Sequence, residues 1–220
     1  MLLMASGRTG GARPRLRVVE PAQGRGGGDD AKVLEGLRRG EPWAREALFD
    51  RYGALVERTV RRILGREFHT DLADVIHDCF VQALESLHRI REPAALPGYM
   101  RAIAARTSCK SIRARAARRW LRFWEPQAIP DVPVRDVDPD VRDAYVRTYA
   151  VLDRLGAEAR VAFVLRHVEG LELTEVGAAC GVSLATIKRR LARAETRFAA
   201  AASRDPVLRS WLAEGGRWTT

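Results

Sequence analysis

Five cations and one helix-capping residue fall within fifteen positions: Ser183, then Lys188, Arg189, Arg190, Arg193 and Arg197. Arginine presents a planar fork that can donate two parallel hydrogen bonds to a guanine edge. Lysine offers a compact charge for phosphate. The chemistry these types suggest is recognition of a polyanion. With Ile187 turned inward, a helical wheel sets Leu191, Ala194 and Phe198 on the same side. Ala185, Thr186, Arg189 and Arg193 then point outward, and Lys188 and Arg190 flank them at phosphate height. The preceding residues read as the means of positioning that face. Thr174 is expected to cap a short helix, Gly181 to end it in a left-handed turn, and Ser183 to cap the next helix. Gly177 sits where close approach leaves room only for a small side chain, and Val182 and Ile187 are expected to plug the space between the helices. This is a helix-turn-helix pattern, whose second helix enters a major groove. The bland alternative is a helical pair whose outer face is merely basic.

A second basic block runs from Arg101 to Arg122, with eight cations and no acid. Residues 188–197 carry five cations and one acid. Between the blocks, Glu125 to Asp143 carries six acids against two arginines. The formal net charge of +10, from 38 Lys plus Arg against 28 Asp plus Glu, is therefore concentrated in two places. Two contact surfaces for nucleic acid follow more naturally than one diffuse patch, although arginine-rich helices can simply be solvated faces. The block Arg101–Arg122 is suited to tracking the phosphates of a single strand. Trp120, Phe123 and Trp124 close it, either as a stacking platform or as packing residues at a domain end.

Asp71, Asp74, His77 and Asp78 form a third polar cluster. The i, i+3 and i, i+4 spacings put Asp74, His77 and Asp78 on one helix face. Carboxylates and imidazole can ligate a metal, but helical metal sites draw facing ligands from other helices, and no second such motif exists here. A solvated face or a protein contact fits better, and neither metal nor cofactor is expected. No nucleophile–base pair or phosphate-cradling glycine loop supports an enzyme. Cys79, Cys109 and Cys180 are odd in number and in no paired spacing, which argues against a disulfide scaffold and fits a reducing cytosol. No apolar run approaches the ~18–20 residues of a membrane span, so cytoplasmic localisation without membrane insertion is expected.

The elements that carry these residues are all helical. Residues 1–28 are Gly- and Arg-rich and read as a disordered basic leader. Asp29 or Asp30 is expected to cap a short helix with Val33, Leu34 and Leu37, stopped by Gly40. Pro42 opens a helix with Leu48, Tyr52, Leu55, Val56, Val60, Ile63 and Leu64 on its core face, ended by Gly65. Thr70 is expected to cap a helix bearing Leu72, Val75, Ile76, Cys79, Phe80, Ala83, Leu84 and Leu87. After Pro93 and Pro97, a fourth helix runs into the basic block. These four helices make a first domain over residues 29–118. Pro126, Pro130, Pro133 and Pro139 mark an acidic linker, residues 119–141. Helical spacing resumes with Tyr145, Tyr149, Leu152 and Leu155, then Val161, Val164, Leu165 and Val168. The second domain spans residues 142–202. The tail from 203 to 220, with Leu208, Trp211, Leu212 and Trp218, has the composition of a small docking helix. No segment shows sustained period-2 alternation, so the expected class is all-α, two small helical domains on a flexible linker.

Residues Leu155 to Gly170, the helix-turn-helix and Thr186 to Ala194 together resemble region 4 of bacterial RNA polymerase sigma factors of the extracytoplasmic-function group. The first domain is similar to their region 2. Leu48-Phe49-Asp50-Arg51-Tyr52 resembles the opening helix. Asp74-Val75-Ile76-His77-Asp78-Cys79-Phe80 and Tyr99-Met100-Arg101-Ala102-Ile103-Ala104 occupy the places of two further motifs. The resemblance covers about residues 30–118 and 142–200. It implies a factor that binds core RNA polymerase and promoter DNA, with an anti-sigma factor as a possible partner. Region 4 would read the −35 duplex through Ser183, Ala185, Thr186, Lys188, Arg189, Arg190 and Arg193. Region 2 would hold the −10 strand near Arg101, Arg106, Lys110 and Arg113. Asp74, His77, Asp78 and Phe80 would contact the polymerase. The chain departs from the family pattern at four of these places. Arg106 and Lys110 replace an Asn and an Asp, His77 a Gln, and Arg189 a Ser. The first two should strengthen phosphate attraction. A helix-turn-helix regulator acting without polymerase, or an RNA-binding adaptor, are the alternatives.

Overall fold

The computed structural model describes residues 27–65, 71–87, 90–121 and 139–215. Among them the regular structure is helical: α1 (Gly27–Arg38), α2 (Pro42–Leu64), α3 (Leu72–Ser86), α4 (Leu96–Leu121), α5 (Pro139–Leu152), α6 (Ala157–Phe163), α7 (Leu173–Cys180), α8 (Leu184–Ala202) and α9 (Pro206–Gly215). A 3-10 turn at Pro93–Ala95 leads into α4, and a π turn at Val164–Val168 extends α6. The expected cap at Thr70, the aromatic side chains of Trp120, Phe123 and Trp124, the leader, most of the acidic linker and Trp218 lie outside what is described.

In the first half, α2 opens on Pro42 and buries Leu48, Tyr52, Val56, Val60, Ile63 and Leu64. Each such side chain taken from water is worth ~1.5–3 kcal/mol. Gly65 closes the helix at φ +67. Asp29 and Asp30 do not cap α1 from outside. The helix begins two residues earlier and holds both in its first turn, where the helix dipole favours negative charge. Asp30 is buried because it has work elsewhere: it accepts from the Tyr52 hydroxyl at 2.9 Å and pairs with Arg51. That contact ties α1 to α2. Leu84, assigned to the buried stripe of α3, is instead exposed, whereas Leu87 is buried.

Helix α4 is the centre of the molecule. Met100, Ile103, Ala104 and Thr107 share one face, while Ala102, Ala105, Cys109 and Ile112 fall on the opposite one. The first four are buried, as are Ala102 and Ala105, and Cys109 and Ile112 are half-buried. A helix covered on two sides must belong to two packing layers. Helices α2 and α3 supply one layer, and α6 and α7 of the second half supply the other.

The second half is built around α8. Ile187, Leu191, Ala194 and Phe198 are buried, and Phe198 stacks on Phe163 of α6 with ring centroids 4.8 Å apart. The tail does form a docking helix, α9, whose Leu208 is buried. Asp205 holds its start by accepting from the Leu208 and Val207 N–H groups and by pairing with Arg147 of α5 at 3.0 Å.

The halves meet at a specific joint. The Arg160 side chain of α6 is only 2% exposed and donates to the carbonyls of Ile63 and Leu64, at 2.7 and 2.6 Å. The Tyr149 hydroxyl donates to the Arg62 carbonyl at 2.6 Å. These are the last carbonyls of α2, which have no acceptor role left within their own helix. Asp153 balances the Arg160 charge, and Arg160 also lies over the Tyr149 ring. A side chain at Gly65 would collide with that ring. Arg62 pairs with Glu169 at 2.8 Å, and Arg113 with Glu158. The sequence patterns carried no sign that the halves pack together.

Candidate nucleic-acid interface

The helix-turn-helix forms as its residues require, with one difference at its start. Glu172, not Thr174, precedes α7. Its N–H donates to the Glu175 carboxylate at 2.8 Å, and Thr174 lies exposed inside the helix. A carboxylate three residues on satisfies an end N–H that a threonine already within the helix could not. Gly181 ends α7 in the left-handed conformation at φ +68, ψ +34. A Cβ on Gly177 would lie 3.1 Å from the Val182 carbonyl oxygen, so the tight passage is between helix and turn. The Ser183 hydroxyl accepts from the Thr186 N–H at 3.3 Å and starts α8.

On α8 the outward face is as the wheel placed it. Ala185, Lys188, Arg189 and Arg193 are exposed, and Thr186 and Arg190 half-exposed. Thr186, Arg189, Arg190, Arg193 and Arg197 line one side of an open cleft of about 330 Å³. Leu155, Glu158 and Ala159 lie on the other side. Four guanidiniums along one helix edge set up a positive field over this cleft. Farther along, His167 and Glu195 share a 2.9 Å hydrogen bond that braces α8 against the π turn.

The second basic surface is narrower than its composition suggests. Arg106, Lys110 and Arg113 are exposed on α4, but Arg101 is half-buried and its Nε makes no hydrogen bond. Arg113 is engaged with Glu158 of α6. Arg106 lies close enough to Cys180 of α7 to influence its thiol. The two basic surfaces thus face the same seam between the halves.

Asp74, His77 and Asp78 are exposed together on α3. Phe80 is not exposed with them: it is 8% accessible and covered by the Phe49 ring, centroids 5.0 Å apart. Phe49 itself is exposed, as are Val81 and Leu84. This apolar patch beside the acidic face was missed from the sequence. Phe49 stands seven and eleven residues before the buried Val56 and Val60, so helical spacing alone gave no signal that it would be exposed.

Two compact helical bodies, one of them a helix-turn-helix whose second helix turns a basic face to solvent, have the architecture of a class of DNA-binding protein. The comparisons with known proteins narrow the class. Residues 48–118 match the family model "Sigma-70 region 2" and residues 145–198 match "Sigma-70, region 4". The chain is 28% identical over 187 residues to the ECF RNA polymerase sigma factor SigM of Mycobacterium tuberculosis, covering 81% of this chain and 89% of that protein. It is 26% identical over 156 residues to the ferric citrate uptake sigma factor FecI of Escherichia coli, covering 68% and 85%. The fold is similar to that of CnrH in complex with the cytosolic domain of CnrY, with TM-score 0.53 and 21% identity over 80% of this chain and 98% of that one. It is also similar to the sigma factor RpoE in complex with the anti-sigma factor NepR from Bartonella quintana, with TM-score 0.54 and 20% identity over 71% and 98%.

The chain belongs to the sigma-70 family, in its extracytoplasmic-function group. It is a sigma factor that works with core RNA polymerase in promoter-directed transcription initiation. No helix among the described residues is long and apolar enough to cross a membrane.

Proposed function

We propose that the two halves divide promoter recognition between them. The α8 face of Ser183, Ala185, Thr186, Lys188, Arg189, Arg190 and Arg193 reads the −35 element as a duplex. The α4 edge of Arg101, Arg106, Lys110 and Arg113 draws in the −10 strand, with cations where the family pattern has an amide and an acid. The observation that carries this reading is the geometry of α8: its apolar stripe is fully buried while its arginine face stands in solvent. Such a helix is held rigidly and still offers its long donors to a groove. Residues 29–118 form the core-polymerase and −10 unit, and 142–202 the −35 unit, with the acidic linker between them.

Asp74, His77 and Asp78 make the polar part of the polymerase contact. Phe49, supported from beneath by Phe80, provides its apolar centre, since a contact rimmed by charge gains most from a buried aromatic. The protein acts by binding and not by catalysis, in the compartment that holds the polymerase. An anti-sigma factor is a further partner, in keeping with the similar RpoE structure, which is in complex with the anti-sigma factor NepR.

Reconstitution with core polymerase and a promoter library, read by run-off transcription, tests the assignment. Specific transcripts are expected from the intact chain. Phe49→Ala should weaken core binding while leaving duplex affinity unchanged. Duplex binding with no response to core polymerase would overturn the polymerase contact.

A further inference from the structure

Helix α8 carries its cations along the cleft and the flanks, but its first turn is of another kind. Leu184 opens the helix and is 40% exposed, whereas Ile187, Leu191 and Phe198 of the same helix are buried. Ala185 follows it into solvent, and neither residue lines the arginine cleft. The hydroxyls of this turn are engaged locally. Ser183 Oγ and Thr186 Oγ1 lie 3.0 Å apart, and Ser183 Oγ also accepts from the Thr186 N–H. The tip of α8 thus offers methyl groups to solvent where the rest of its outer face offers guanidiniums.

We propose that Leu184 and Ala185 read a thymine methyl group in the −35 duplex. The proposal rests on the assignment of α8 to that duplex made above. In a helix-turn-helix the residues at the start of the second helix are the ones that meet base edges. Thymine alone among the four bases presents a methyl group in the major groove, and apolar side chains recognise it, whereas guanine presents two acceptors suited to an arginine fork. Ala185 and Arg189 share the outward face one turn apart, ~6 Å along the helix axis. That is less than two base-pair steps of ~3.4 Å. The −35 element therefore carries an A·T pair, its thymine toward the tip of α8, within two base pairs of the pair that faces Arg189.

The consequence is a division of labour along one helix. Lys188 and Arg190, at phosphate height, attract any duplex, and their share of the affinity falls as salt rises. The methyl contact takes apolar surface of both partners from water and releases no counterion. It separates thymine from the three bases that lack the group. Gly181 in its left-handed turn and the Ser183 cap fix where the helix starts, so the two side chains are presented from a defined position.

The test uses the full chain with core polymerase. Selection from a promoter library randomised over the −35 element supplies the bound duplex. Each thymine of that element is then replaced singly by deoxyuridine, which removes only the C5 methyl. At one thymine the replacement should weaken binding about fourfold, as expected for one buried methyl group, with the slope of log affinity against log salt unchanged. Leu184→Ala should bind the thymine duplex nearly as weakly as the intact chain binds the uracil duplex, and lose most of the preference between them. Lys188→Ala should weaken both duplexes alike and keep the preference. Equal binding of thymine and uracil duplexes at every position would overturn the methyl reader and leave the −35 assignment standing, as would a selected element with no thymine in that place. A preference undiminished in Leu184→Ala would place the methyl effect elsewhere and also overturn the reader. Selection of no −35 element would overturn the duplex assignment, and the reader with it.

Discussion

Helices α4 and α8 carry the same kind of composition and lead opposite lives. Both are long, arginine-rich and nearly free of acid. On α8 the apolar residues fall on one stripe, so packing consumes one side and leaves the cations to solvent. On α4 the apolar and small residues fall on two opposite faces, so the cations survive only along the edges. Charge counts along a chain therefore overstate an interface wherever the helix beneath is claimed from both sides. The difference explains why Arg101 is half-buried although it belongs to the same block as the exposed Arg106 and Lys110.

The sharpest way to break this contrast is to uncover the second face of α4. Arg160→Ala removes a buried cation, leaves the Ile63 and Leu64 carbonyls without donors and strands Asp153. A loss of about 3 kcal/mol is expected, with the single denaturation transition splitting into two. An unchanged single transition in urea would mean that the halves do not depend on this joint. Next in size, Gly177→Val pushes a side chain against the Val182 carbonyl. It should cost about 1–3 kcal/mol and abolish duplex binding, read by thermal melting and fluorescence anisotropy, because the turn that aims α8 would shift.

Arg189→Ala tests α8 alone. A loss of about 1–3 kcal/mol concentrated on one base pair of the −35 element would make Arg189 a base reader. An equal loss on every sequence would make it a phosphate contact. Lys188→Ala should act evenly across sequences and lower the slope of log affinity against log salt by about 1. A last effect, seen only at high pH, concerns Cys79 of α3, which faces Thr107 on the first-half side of α4. Burial pushes the Cys79 thiol up to about 11, above its ordinary value near 9. The unfolded chain therefore loses this proton first, and the stability linked to Cys79 is present below about pH 9 and fades as pH rises through about 11. Cys79→Ala should flatten that part of the stability profile, measured by urea unfolding across the range.

Much of the fold was legible because single helices announce themselves. Pro42 opened α2, Gly40, Gly65 and Gly181 took positive φ where they were expected to stop the chain, and the stripe of Ile187, Leu191, Ala194 and Phe198 is buried as spaced. The outward face of α8 was equally legible, since one buried stripe fixes the direction of everything else on a helix. What escaped was contact between elements distant in sequence. Ala102 and Ala105 give no amphipathic signal, so the second buried face of α4 was invisible. Phe80 reads the same whether it meets a polymerase or the ring of Phe49. Arg160 looked like one more arginine in a basic chain, and its burial depends on the end of a helix nearly a hundred residues earlier.

That last contact is lopsided in what it asks of each side. Arg160 reaches main-chain carbonyls of residues 63 and 64, and Tyr149 reaches that of residue 62, so these hydrogen bonds require no particular side chain from the first half. Substitutions at 62–64 leave the acceptors in place so long as α2 keeps its course, whereas one change at 160 removes two donors at once. Unlike the Arg62–Glu169 and Arg113–Glu158 pairs or the close approach at Gly65, these main-chain hydrogen bonds leave no paired signature for comparison of sequences to find. Over divergence their donors would be inherited through the second half of the molecule.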